Sequence, residues 1–167
     1  ALWAVPFDLS KLAVTGEPLA VVPQLRTEAS LGAGQYTFSR DGLLVYAPGT
    51  ANDRSRLDSR SRSGRVDTLP FEPARFGCLS LSPDGSRLAY FSYDQKKPIV
   101  VVQILAQGTT KVVANFRGNN SAPAWSPDGT KIVYAAFLEK LQYDIYVMDA
   151  DGSNQRKVIG DSNLNVS

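Results

Sequence analysis

The sequence predicts an all-β fold of repeated four-stranded units, and three observations carry that reading. An apolar residue followed by Ser-x-Asp-Gly occurs three times, as Phe38-Ser39-Arg40-Asp41-Gly42, Leu81-Ser82-Pro83-Asp84-Gly85 and Trp125-Ser126-Pro127-Asp128-Gly129. The aspartates stand 43 and 44 residues apart, and Tyr46, Tyr90 and Tyr134 follow at 44-residue steps. No long stretch keeps a helical periodicity. A repeat of roughly 40–45 residues made of short strands has the length of one β-propeller blade of four antiparallel strands.

The phrase itself reads as a turn. Ser at its first position, Pro at its second and Gly at its fourth suit a type I turn closed by a left-handed residue. Such a turn joins antiparallel strands through a bulge, with Gly85 and Gly129 taking the positive φ. Arg40 replaces the proline in the first copy, which the turn tolerates. The aspartates then bond nearby backbone amides, and a metal or proton-transfer role is the lesser reading.

The elements follow in order. Residues 1–29 read as a partial blade: Leu2 to Phe7 and Leu19 to Val22 look like outer strands, with at most one helical turn from Asp8 to Leu12. The first full blade, 30–72, places strands at 35–39, 43–47, 56–61 and 65–69. The second, 73–116, uses 78–82, 87–92, 99–105 and 110–114. The third, 117–162, uses 122–126, 131–137, 144–149 and 156–159, and 163–167 begins one more inner strand. Ile99-Val100-Val101-Val102 is apolar on both faces, as a strand packed between neighbouring blades must be. About three and a half blades make an incomplete ring, since propellers typically close with about 4–8. The chain is therefore expected to be part of a longer propeller or to pair with a second copy.

Composition sets limits on function. Of 167 residues 43% are hydrophobic, enough for a sizeable core. The net charge of +2 does not point to nucleic acid or an acidic membrane surface. No apolar run approaches the roughly 18 residues of a membrane span. The opening Ala1-Leu2-Trp3 lacks the basic start of a signal peptide. The chain has no histidine, which removes Ser-His-Asp and Cys-His catalysis and His-ligated zinc. Its single cysteine, Cys78, is expected to be a small buried hydrophobe. No catalytic residue, cofactor or metal site is expected. Asp149-Ala150-Asp151-Gly152-Ser153-Asn154 invites a calcium-loop reading, but the sixth and twelfth positions hold Asn154 and Gly160 where Gly and Glu are needed, so a hairpin turn is preferred.

The phrase Ala124-Trp125-Ser126-Pro127-Asp128-Gly129-Thr130-Lys131-Ile132-Val133-Tyr134, continued by Asp144-Ile145-Tyr146-Val147-Met148-Asp149-Ala150-Asp151-Gly152-Ser153, resembles the TolB-type, WD-like propeller repeat. The second repeat matches it well up to Tyr90. The opening, Leu2 to Leu9 with Val14-Thr15-Gly16-Glu17-Pro18, is similar to segments that attach such propellers to bacterial Ser/Thr kinases. The resemblance implies a bacterial, periplasmic or otherwise extracytoplasmic binding or sensing module. It names no ligand.

Two groups of residues are candidate sites. Loops between second and third strands share a face with loops between blades in the usual blade order. That face collects Arg75, Asp94, Lys96, Lys97, Arg117, Asn119, Asn120, Glu139 and Lys140, a mix suited to a polar protein or peptide partner. Where the repeat carries an apolar third strand, this chain has Arg54, Arg56, Arg60 and Arg62 around Asp58. Alternation along an extended strand puts them on one face, which either binds a phosphate or acidic partner or is a solvated outer surface. The leading reading is a non-catalytic binding or scaffold module. The alternative is the non-catalytic propeller of a prolyl oligopeptidase-like hydrolase or a lyase, since the chain has no Gly-x-Ser-x-Gly elbow.

Overall fold

The computed structural model describes residues 1–27, 33–49, 54–94, 98–114, 119–138 and 142–159. Those residues are all-β. Sixteen strands form three four-stranded antiparallel sheets and two short two-stranded ones. The first full sheet holds β5 (Tyr36–Phe38), β6 (Leu44–Tyr46), β7 (Asp58–Arg60) and β8 (Val66–Thr68). The second holds β9 (Phe76–Leu81), β10 (Arg87–Ser92), β11 (Ile99–Ile104) and β12 (Thr109–Ala114). The third holds β13 (Asn119–Trp125), β14 (Lys131–Leu138), β15 (Gln142–Asp149) and β16 (Arg156–Ile159). Each is a meander in which chain neighbours pair, the order of a propeller blade with no closed ring.

Before them, β1 (Leu2–Ala4) pairs with β4 (Leu19–Val22), and β2 (Phe7–Asp8) pairs with β3 (Ala13–Val14). Together they are one bent hairpin. The stretch from Asp8 to Leu12, where at most one helical turn was allowed, is the hairpin's tip, where Asp8 Oδ1 accepts from the Ser10 and Lys11 amides at 2.9 and 3.2 Å. Residues 163–167, where a further strand was expected, lie outside the described residues.

The middle blade explains its own two-sided apolar strands. Leu88, Tyr90, Ile99 and Val101 point into a core shared with Val45, Ala47 and Leu57 of the first blade. Their chain neighbours Ala89, Val100 and Val102 point the other way, into a core with Ile132, Tyr134, Ala136, Tyr146 and Met148 of the third. Alternation persists, but both faces meet protein.

Inner strands are joined by hydroxyls rather than by a ladder. Thr37 Oγ1 accepts the Leu81 amide at 3.0 Å, and Ser80 Oγ accepts the Trp125 amide at 3.3 Å. Thr37 and Ser80 hold the same place in successive repeats, two residues before the turn serine.

Two bulges were not legible in the sequence. The β9–β10 register shifts between Ala89 and Phe91, and the β13–β14 register shifts between Ser121 and Ala124. The extra residues include Cys78 and Ala122, both at φ 49°, and they face Tyr90 and Tyr134. Cys78 is therefore exposed, not buried as expected, because the bulge turns its side chain out of the alternation.

Gly77, beside that bulge, lies against the buried Phe91 ring, and a Cβ there would stand 2.5 Å from Phe91 Cζ. Gly77→Ala is expected to lower stability by about 1–3 kcal/mol through overpacking. A fall in the urea midpoint without a change in slope checks this, and an unchanged midpoint contradicts it.

Candidate functional site

The three Ser-x-Asp-Gly turns are hairpins that share one internal wiring. The serine hydroxyl donates to the aspartate two residues on and accepts the amide that opens the next strand. Ser82 Oγ lies 2.5 Å from Asp84 Oδ1 and accepts from Arg87 N at 2.9 Å; Ser126 repeats this with Asp128 and Lys131 at 2.5 and 2.9 Å. Ser39 bonds Asp41 and accepts from Leu43 N. Gly42, Gly85 and Gly129 take φ of 87°, 71° and 71°. The copies differ in length. Ser39 N donates to the Leu43 carbonyl, the bulged turn the sequence predicts, whereas Ser82 N reaches Arg87 O and Ser126 N reaches Lys131 O. The extra residue, Ser86 or Thr130, bonds back to the turn aspartate through both amide and hydroxyl.

Successive turns meet at one end of the inner strands. They enclose a cleft of about 260 Å³ lined by Arg40, Pro83, Asp84, Arg87, Pro127, Asp128 and Gly129. Arg40 reaches from the first turn to the third, where its Nη2 donates to the Pro127 carbonyl at 2.7 Å. Arg87 opens β10, lies 4.4 Å over the Trp125 ring and donates to the Gly129 carbonyl at 3.0 Å. The carboxylates are committed to their own turns. Hydrogen bonds from Ser82 and then Ser86 lower Asp84 to about 2, and Ser126 and then Thr130 do the same for Asp128. Neither aspartate is poised to carry protons near neutral pH.

At the other end of the strands, part of the expected loop face is assembled. Asp94 accepts the Arg75 amide at 3.2 Å, faces Arg75 Nε at 3.8 Å and pairs with Arg54 Nη2 at 3.2 Å. Arg54 also donates to the Pro73 carbonyl at 2.9 Å. Asn119 and Asn120 are not loop residues but open β13, opposite Phe137 and Ala136. Lys96, Lys97, Arg117, Glu139 and Lys140 lie outside the described residues.

The arginines 54, 56, 60 and 62 do not form one stripe, because each guanidinium has its own destination. Arg56 Nε lies 3.2 Å from the buried Asp58, which also accepts from Thr68 at 3.0 Å. Arg60 donates to the Val21 carbonyl at 2.8 Å, tying the first blade to the bent hairpin. Arg62 lies beside Gly42 and acts electrostatically on Asp41. At 149–154, where the sequence favours a hairpin turn over a calcium loop, Gly152 N donates to Asp149 O at 2.8 Å and Asp149 pairs with Lys131 at 2.7 Å, so the segment is a hairpin turn.

The turn cleft was missed by sequence reasoning. Its one visible signal was Arg40, standing where the other two copies hold proline.

Comparison with known proteins fits this geometry. The TolB beta propeller domain profile matches residues 78–167, more than half of the chain. The chain belongs to that family. TolB of the Tol-Pal system from Bordetella pertussis is 52% identical over 122 residues, which is 72% of this chain and 27% of that protein. The same-named protein of Methylobacillus flagellatus is 61% identical over 41 residues, 25% of this chain and 10% of its own length. The chain thus spans from a tenth to about a quarter of these relatives. The crystal structure of TolB from Acinetobacter baumannii superposes with a TM-score of 0.63 at 17% identity, covering 90% of this chain and 36% of that one. An acylaminoacyl peptidase from Pyrococcus horikoshii shares the fold, with a TM-score of 0.54 at 14% identity over 74% of this chain and 24% of its own.

The depressed carboxylates predict an acid response. Each aspartate's folded pKa lies below its ordinary value of 3.8, so its stabilisation is present above pH 4 and is lost as pH falls toward about 2. Carbon-detected NMR titration is expected to place both midpoints near pH 2, and Ser82→Ala is expected to raise that of Asp84 alone. Midpoints near 4 in the unaltered protein contradict the wiring.

Proposed function

We propose that this chain is the non-catalytic, protein-binding propeller region of a periplasmic TolB-like protein, and that its partner belongs to a Tol-Pal-type system. The observation that carries the reading is the polar cleft built where three rigid hairpin turns converge. Rigid elements that present fixed charges and backbone carbonyls suit a polypeptide partner better than an apolar small molecule. The absence of histidine and of a nucleophile elbow supports a non-catalytic role. The relatives' names supply the Tol-Pal setting and bear no mention of a kinase.

The loop cluster of Arg54, Arg75 and Asp94 is a second contact surface on this proposal. Its guanidinium side chains are 61% and 57% exposed while the carboxylate between them is 20% exposed, so a salt-screened rim contact is the expected contribution. We assign no recognition role to Arg56 and Arg60, whose partners are internal.

Titration calorimetry of the full-length parent against the Pal protein of the same organism tests the reading. Binding is expected at about micromolar affinity, near 8 kcal/mol, and Arg75→Ala is expected to weaken it by no more than about tenfold. No heat of binding at protein concentrations of about 100 μM would sink the proposal.

A further inference from the structure

The hydrogen-bonding capacity of the turn cleft is lopsided. Its two carboxylates are taken up by their own turns: Asp84 accepts from the Ser82 hydroxyl, the Ser86 amide and the Ser86 hydroxyl, and Asp128 accepts from the Ser126 hydroxyl, the Thr130 amide and the Thr130 hydroxyl. Its two guanidiniums are not. Among the described residues Arg40 gives one side-chain hydrogen bond, to the Pro127 carbonyl, and Arg87 gives one, to the Gly129 carbonyl. Neither forms a salt bridge among the described residues. A guanidinium is a planar fork of several donors that matches a carboxylate in a bidentate way. What the cleft has left to offer a ligand is therefore mostly donors, although its formal charges balance.

The two arginines also differ in how firmly they are held. Arg87 is fixed from two sides, by the Trp125 ring and the Gly129 carbonyl. Arg40 is held at its tip by a single contact that spans the mouth between the first and third turns. Nothing in the turn requires the Arg40 guanidinium: its backbone amide, not its side chain, donates to the Pro83 carbonyl at 3.4 Å, and the longer second and third turns hold proline at the equivalent positions.

We propose that the cleft is an acidic-peptide subsite, in which Arg40 and Arg87 grip a side-chain carboxylate of the partner and Arg40 leaves the Pro127 carbonyl to do so. This rests on the protein-binding reading above and adds its recognition chemistry. A carboxylate can take two parallel N–H donors of the Arg40 fork where the Pro127 carbonyl takes one, which favours the exchange. Arg40 would thus be a specificity-determining residue peculiar to this chain's first turn.

The test uses fluorescein-labelled hexaglutamate with an amidated C-terminus, read by fluorescence anisotropy against the full-length parent. Binding is expected, weakening as salt is raised, with C-amidated hexaglutamine not binding. Arg40→Gln and Arg40→Ala are each expected to weaken hexaglutamate about tenfold. Both variants keep the backbone amide that donates to the Pro83 carbonyl, which proline would remove, and an unchanged urea midpoint guards against misfolding. Arg65→Gln, remote from the cleft and paired with Asp67, is expected to leave binding unchanged. Equal affinity for hexaglutamate and hexaglutamine, undiminished binding by both Arg40 variants, or an Arg65→Gln loss as large as theirs would overturn the subsite. Hexaglutamine with a free C-terminus binding as tightly as hexaglutamate would overturn the side-chain assignment in favour of a terminal carboxylate. The two proposals fail separately. If the Pal protein binds wild type and Arg40→Gln alike, the acidic subsite falls and the partner reading stands; if it binds neither, the partner reading falls.

Discussion

A hydroxyl on each inner strand holds the backbone of the next blade, and the placement of the turns depends on that contact. The Leu81 and Trp125 amides stand where adjacent blades pack and no ladder reaches them. Thr37 and Ser80 supply their acceptors. An unmet buried amide costs about 1–3 kcal/mol, so these hydroxyls favour one relative register of β5, β9 and β13. Because each lies two residues before its turn serine, fixing that register also fixes the turns against one another. Gly85 then lies against Ser39 and Asp41, and Gly129 against Pro83. The cleft follows from strand register, not from any loop of its own.

The same stacking explains where the molecule is apolar outside. Within the middle blade both faces of β10 and β11 are covered, and their residues are buried. The bent hairpin of β1 to β4 is covered on one face only: Val22 and Leu2 pack on Leu44 and Tyr46 of the first blade. Its other side chains, Trp3, Phe7, Leu9, Leu12, Val14 and Leu19, are exposed. A blade flank is hydrophobic by construction, so this surface is a consequence of blade geometry and agrees with a chain that spans only a fraction of its relatives' length.

The fold was legible because its signal is periodic. A turn that needs a small polar residue, an aspartate and a left-handed glycine writes itself at the same spacing each time, and Tyr46, Tyr90 and Tyr134 follow because each lies on the second strand facing a blade interface. Cys78 was misread because a bulge breaks alternation without a compositional mark: Cys78 and Ala122 both sit at positive φ with no glycine to announce it. The arginine-rich third strand was misread because a run of like charges says nothing about partners. Arg56 keeps its near neighbour Asp58, but the others were drawn off by groups distant in sequence, Asp94 and the Val21 and Pro73 carbonyls. The cleft was invisible for a related reason, since it is made of residues from three repeats and only the fold brings them together.

Repetition also separates structural from discriminating residues. Ser39, Ser82 and Ser126 recur because every turn needs the hydroxyl relay, and the aspartates recur because the relay needs an acceptor. Residues fixed in this way are spent on the fold, which is why Asp84 and Asp128 stay ionised yet have little bonding capacity left for a ligand. A departure from the repeat carries no such obligation. Arg40 departs at a position where proline would preorganise the turn and lower the entropy lost on folding, and it spans the cleft instead of lying along its own strand. Any residue but proline would supply the amide that donates to the Pro83 carbonyl, so it is the choice of a guanidinium that marks a place where another demand acts on the sequence. Here that demand is met at the mouth of the cleft, where a guanidinium with spare donors faces solvent beside one that is already fixed.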